Sequence, residues 1–221
     1  MSVDLNQLKI ILSELKKYNA VLVAVSKKKS SEEIKQVYDA GHTIFGENYV
    51  QELKEKYEAL PKDIQWHFIG HLQTNKVKII APFVSLIQSV DSLKLLKEIN
   101  KEGEKNNRVI NCLLQIHIAQ EETKFGLSFE EAEIVLRSQE LNQMKNISIT
   151  GLMGMASMTE DKLKIKKEFK SLKLFYDTLK FEIRNSKFEI LSMGMTSDYK
   201  IALEEGSNMV RIGSAIFGER I

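Results

Sequence analysis

The chain has 221 residues, 43% of them hydrophobic, 28% charged and 8% aromatic, with two Pro, 11 Gly and one Cys. This balance excludes extensive disorder, collagen-like repeats and a disulfide scaffold. With 32 basic and 30 acidic residues, the net charge of +2 announces neither a nucleic-acid partner nor an anionic membrane.

At roughly 100–200 residues per domain, the length allows one large domain or two small ones. No apolar run approaches the ~20 residues that cross a bilayer. The N-terminus, MSVDLNQLKIILSELKK, is too polar for a signal sequence, so a soluble, cytoplasmic protein is expected. Leu5, Leu8, Ile11, Leu12 and Leu15 recur at three- and four-residue spacings and predict an amphipathic lead-in helix. VLVAV at 21–25 is short, β-branched and apolar on both parities, as a strand covered on both faces must be. Ser30 or Ser31 can cap the helix that follows, and Gly41 can end it in the left-handed conformation.

The strand-then-helix unit then recurs. Thr43 to Phe45 precedes a helix from about Asn48, Gln65 to Ile69 one from about Thr74, and Val84 to Gln88 one from Asp91. Ile110 to Ile118 precedes a helix from Ser128, and this run (INCLLQIHI) holds Cys112, the sole cysteine, expected to be a buried core thiol. Ile147 to Met153 precedes a long helix from about Thr159, Phe188 to Met193 one from about Ser197, and Asn208 to Ile212 a terminal turn. Eight such strands predict a parallel α/β sheet closed as a (β/α)8 TIM barrel, a single domain over residues 1–221 with an extra N-terminal helix. An open doubly wound sheet is disfavoured, because no G-x-G-x-x-G follows the first strand.

Barrel chemistry sits at the C-terminal ends of the strands. The residues expected there are Ser26-Lys27, Gly46-Glu47-Asn48, Gly70-His71, Ser89 with Asp91, Glu121 to Lys124, Gly154-Met155, Gly194 to Ser197, and Arg211 to Ser214. Lys27 follows an apolar strand almost directly, so its amine should reach the barrel mouth partly desolvated. Such an amine loses proton affinity and can attack a carbonyl to form a Schiff base. The plainer alternative is a surface lysine, since Lys28 and Lys29 follow. The loops after strands seven and eight combine glycines with the hydroxyls of Thr196, Ser197 and Ser214, each opening a helical turn, which suits a phosphate. Routine helix capping would use the same residues. A Schiff-base lysine beside a phosphate cradle leaves two ligands open: a sugar phosphate, as in a lysine-dependent aldolase, or pyridoxal 5'-phosphate (PLP).

Six motifs now acquire weight together: VAVSK (23–27), FGENYVQE (45–52), WHFIGHLQTNK (66–76), GLMGM (151–155), LSMGM (191–195) and MVRIGSAIFGER (209–220). In this order, over essentially the whole chain, they resemble the pyridoxal phosphate homeostasis protein family. The resemblance implies an alanine-racemase-like barrel in which Lys27 holds PLP as a Schiff base and Asn48 lies near the cofactor. It further implies that Thr196, Gly213 and Ser214 bind the phosphate and that Arg211 faces the pyridine nitrogen. Met155, at the end of strand six, completes the expected cofactor-binding set. Three positions depart from the family pattern: His71 replaces a usual proline, Thr196 a serine and Ser214 a threonine. The last two keep a hydroxyl.

PLP enzymes use the ring as an electron sink, which works best when a carboxylate holds the pyridine nitrogen protonated. An arginine there cannot do so. Racemases of this fold also need a second base from an added β domain, and the 221 residues are expected to hold the barrel alone. The expected protein is therefore a non-enzymatic, monomeric PLP carrier or buffer that serves vitamin B6 homeostasis and PLP-dependent apo-enzymes, with no catalytic residue and no metal. The alternatives are a weak PLP-dependent racemase and a Schiff-base aldolase acting on a sugar phosphate. An RNA- or membrane-binding role for the basic helix 162–180 is disfavoured, because Ile165, Phe169, Leu172, Phe175 and Leu179 form one stripe suited to packing on a barrel. Among the other titratable groups, His67 and His71 do not share a helical face as zinc ligands would. His117 is read as a core strand residue, His42 as exposed, and Glu47 as a partner for a barrel lysine such as Lys124.

Overall fold

The computed structural model describes residues 3–119, 125–183 and 187–218. Helix α1 (Leu5–Lys16) leads into β1 (Val21–Val25), α2 (Ser31–Asp39), β2 (Ile44–Glu47), α3 (Val50–Ala59) and β3 (Gln65–Phe68). These are followed by α4 (Val77–Ile80), β4 (Leu86–Val90), α5 (Leu93–Lys105), β5 (Ile110–Ile116), α6 (Phe129–Arg137) and α7 (Gln139–Gln143). The described chain finishes with β6 (Ile147–Gly154), α8 (Lys162–Ile183), β7 (Ile190–Met195), α9 (Tyr199–Glu204), β8 (Met209–Ile212) and α10 (Ser214–Phe217). The eight strands are parallel neighbours in chain order, and β1 pairs with β8, Val21 opposite Met209 and Ala24 opposite Ile212. The sheet therefore closes into the expected (β/α)8 barrel.

Strand periodicity divides the core in two. Val23, Leu86, Leu113, Met153 and Met209 point inward and form the apolar filling of the barrel. Their neighbours Leu22, Ala24, Ile87, Leu114, Leu152 and Val210 belong to the larger core between sheet and helices. Helix starts follow the cap chemistry: Ser30 with Glu33, and Ser128 with Glu131, form reciprocal capping boxes. Gly41 ends α2 with φ +93°. On α8, Ile165, Phe169, Leu172 and Leu179 are buried, and Phe175 packs on Phe129 with ring centroids 4.7 Å apart. Each such fully buried side chain contributes about 1.5–3 kcal/mol, so the apolar stripe of this basic helix is spent on the barrel. No described helix is long and apolar enough to cross a membrane.

Several boundaries differ from the sequence expectation. Val84 closes a turn instead of opening a strand, its amide bonded to the Ile80 carbonyl and its own carbonyl accepting from Arg108 Nη2. The fourth strand therefore begins two residues late, and Ser89, expected beyond it, is buried inside β4. Glu47, Gly154 and Met195 likewise are the last residues of their strands rather than lying after them. Helix α8 begins at Lys162, where Asp161 Oδ1 accepts from the Leu163 and Lys164 amides. His42 is buried, contrary to expectation. Its Nε2 bonds the Ile44 carbonyl at 2.8 Å, and its ring meets Phe45 edge-on. His117 lies just past β5 and is half-buried, because Leu127 returns there to bond the Gln115 carbonyl and the His117 amide. The expected loop Glu121 to Lys124 lies outside the described residues. Cys112 is buried in the core, and burial pushes its thiol pKa up, away from the reactive thiolate.

Candidate functional site

Lys27, Asn48, Met155, Thr196, Arg211, Gly213 and Ser214 all line one cavity of about 330 Å³ at the C-terminal mouth of the barrel. Residues from β1, β2, β6, β7 and β8, or from the turns just after them, thus converge on one volume. Val25, Ile69 and Met195 add apolar wall, and Ser197 a further hydroxyl. Ser214 Oγ lies 3.3 Å from Thr196 Oγ1, so two of the hydroxyls already face each other across the mouth. At Gly213 a Cβ would lie 2.9 Å from the Val25 carbonyl oxygen, so a side chain there would press on β1.

Lys27 sits in a turn held from beneath. The Lys29 amide bonds the Ser26 carbonyl at 3.0 Å, and Lys28 adopts φ +61°, in the left-handed region. Under this turn Lys56 Nζ donates to the Ser26 carbonyl (2.7 Å), Glu47 Oε1 (2.7 Å) and Glu52 Oε1 (2.6 Å). Ser26 Oγ donates to the same Glu47 oxygen at 2.6 Å, and the Lys28 amide donates to Glu52. Glu47 is fully buried, and desolvation raises its pKa more than Lys56 and Ser26 pull it down. Its described partner is Lys56, one α-turn beyond Glu52, and Lys124 lies outside the described residues. Sequence reasoning missed Lys56, although the Glu52–Lys56 spacing of four is a readable helical pair.

Arg211 is 4% exposed, and burial lowers its pKa to about 10, so it stays cationic at neutral pH. Its Nη1 donates to Ser192 Oγ and its Nη2 to the Gly154 carbonyl. On the opposite rim, His71 pairs with Asp91 at 3.2 Å and stacks on Phe125 with centroids 4.0 Å apart. It belongs to a neighbouring groove that shares Asn48 with the main cavity.

The alanine racemase N-terminal domain family matches residues 3–221. A protein of Aquifex aeolicus named pyridoxal phosphate homeostasis protein is 40% identical over 202 residues, covering 91% of this chain and 87% of its own. One of the same name from Pasteurella multocida is 37% identical, covering 90% and 86%. This chain belongs to the pyridoxal phosphate homeostasis protein family. PipY of Synechococcus elongatus, solved with PLP bound, superposes with a TM-score of 0.86 at 30% identity, covering 96% of this chain and 99% of that one.

This member of the pyridoxal phosphate homeostasis protein family also buries a histidine beneath the cavity. His67 is 5% exposed, and desolvation lowers its pKa to about 4. An unfolded His titrates near 6.5, so below that pH the unfolded chain binds a proton that the folded chain refuses. This contribution to stability is complete above pH 6.5 and is lost as the pH falls towards 4, by roughly 3 kcal/mol in all. Urea unfolding of wild type at pH 7 and pH 4.5 should show this slope, and His67→Asn should lack that part of it. Equal slopes would contradict the assignment.

Proposed function

We propose that this protein binds PLP in the cavity at the barrel mouth, with Lys27 as the attachment point, and stores or delivers the cofactor without strong catalysis of its own. The observation that carries the reading is the meeting of a lysine amine, a hydroxyl pair and a buried arginine in one cavity. The residues present fit the group. Asn48 Oδ1 is buried with no hydrogen-bond partner among the described residues, an acceptor left for a ligand hydroxyl. Gly213 keeps the β8 turn against β1, where Thr196 and Ser214 would hold the phosphate. When bound, PLP supplies an aldehyde that an amine can attack. Lys27 would present that amine, and Lys56 fixes the turn that carries it.

Arg211 supports a carrier over a racemase. It is cationic and faces the cavity with no carboxylate hydrogen-bonded to it among the described residues. It would leave a pyridine nitrogen unprotonated and the ring a weak electron sink. In this reading the protein acts in the cytoplasm as a single-domain monomer whose recipients are PLP-dependent apo-enzymes.

The test is direct. The full chain is incubated with PLP, reduced with borohydride, digested and mapped by mass spectrometry. A single adduct on Lys27, absent in Lys27→Ala, is expected. An adduct on another lysine, or none, would overturn the site. Alanine racemisation at an enzyme's rate, lost in Lys27→Ala, would overturn the carrier role.

A further inference from the structure

Inside the barrel, below the cavity, a chain of hydrogen bonds runs from Arg211 across the interior to His67. Arg211 Nη1 donates to Ser192 Oγ at 2.6 Å, Ser192 Oγ donates to Gln88 Oε1 at 2.7 Å, and Gln88 Nε2 donates to His67 Nδ1 at 3.0 Å. The second amide proton of Gln88 is directed to Met209 Sδ at 3.3 Å. Ser192 and Gln88 are fully buried, and the two ends of the chain nearly so. The four residues come from β8, β7, β4 and β3, so the chain spans the ring rather than following one edge of it.

Its direction is fixed by donor chemistry. A guanidinium only donates, so Ser192 must use a lone pair towards Arg211 and is left with its one proton for Gln88. The amide nitrogen of Gln88 also only donates, so His67 Nδ1 must carry a lone pair and the ring is neutral with its proton on Nε2. Each member therefore determines the orientation of the next. Both hydrogen-bond acceptors of Arg211, Ser192 and the Gly154 carbonyl, are neutral. The guanidinium is held in one plane by neutral acceptors, with the Asp198 carboxylate acting on it only through space, and in a buried, low-dielectric interior such an ordered network is worth more than its separate pairs.

We infer that Ser192, Gln88 and His67 are positioning residues for Arg211. They aim its charge at the cavity and make the site select a phosphorylated heteroaromatic ring whose nitrogen is a free acceptor. The inference rests on the PLP reading of the cavity and extends it to residues that touch no ligand.

Three probes separate the possibilities by calorimetry on the full chain: pyridoxine 5'-phosphate, which has no aldehyde for Lys27, its analogue with C–H in place of the ring nitrogen, and inorganic phosphate. Gln88→Leu and Ser192→Ala are expected to bind pyridoxine 5'-phosphate roughly tenfold more weakly, the scale of one charge-assisted hydrogen bond. Both should bind the analogue and inorganic phosphate as wild type does. Ser192→Thr, which keeps the hydroxyl, should restore binding, and Gln88→Leu should add nothing in an Arg211→Leu background. A general packing defect would weaken the analogue equally, and that result would overturn the inference. So would unchanged binding of pyridoxine 5'-phosphate by both variants. Failure of the wild type to bind pyridoxine 5'-phosphate would instead overturn the PLP reading itself, and this inference with it.

Discussion

Replacing Lys56 with methionine is expected to destabilise the protein by about 3–5 kcal/mol, the cost of leaving a buried charge without its partner. Lys56 and Glu47 are 5% and 0% exposed, and the ammonium also holds the Ser26 carbonyl, one residue before Lys27. Without it, Glu47 loses the cation that favours its charged form, and its pKa, already raised by burial, rises further. A carboxyl with a raised folded pKa loses stability as the pH climbs above its unfolded value near 4.5. The deficit of Lys56→Met should therefore be larger at pH 7 than at pH 5. Urea titration followed by the fluorescence of the single, fully buried Trp66 measures it. Replacing both partners, as Glu47→Leu with Lys56→Met, should recover much of the loss, because the buried charge goes with its counter-ion. A loss below 1 kcal/mol in the single variant would show that the cluster does not support the Lys27 turn.

The second large effect is expected at Gly70. A Cβ there would lie 2.2 Å from the Asn48 carbonyl oxygen and 2.8 Å from its Cα. Both obstacles are backbone, so no rotamer change relieves them, and Gly70→Ala should cost about 3 kcal/mol. The same displacement pulls Asn48 from the cavity wall, so PLP uptake should fall even where the variant folds. Gly41→Ala is the control. Nothing lies within 4 Å of a Cβ there, and only the φ of +93° opposes it, so a loss of about 1 kcal/mol with normal PLP uptake is expected. Comparable uptake in Gly70→Ala and wild type would show that Asn48 is not held by this contact.

Much of this architecture was legible in the chain, and the exceptions share a cause. VLVAV reads as β1 to the residue because a strand buried on both faces has no other apolar explanation. Ser30 and Ser128 read as caps because their glutamates stand three residues on. The residues of the cavity were readable because barrel topology places the end of every strand on one face. Val84 misled because local apolarity does not reveal Arg108, which takes its carbonyl from a distant loop. His42 misled for a similar reason, since its burial depends on Phe45 and the Ile44 carbonyl rather than on the glycine before it. Gln88 and Ser192 could not be paired from sequence, because inward polar residues on separate strands carry no spacing rule.

The joining of β1 to β8 also has a consequence for synthesis on the ribosome. Lys27 follows the first strand, while Arg211, Gly213 and Ser214 come from the last strand and the turn after it, and Val21 to Ala24 find their partners only at Met209 to Ile212. Contacts so distant in sequence close late in folding. A nascent chain carrying Lys27 has no complete cavity until β8 has left the exit tunnel. If PLP attaches at Lys27 as proposed, attachment should therefore mark finished molecules only, and an unfinished barrel should not capture the cofactor.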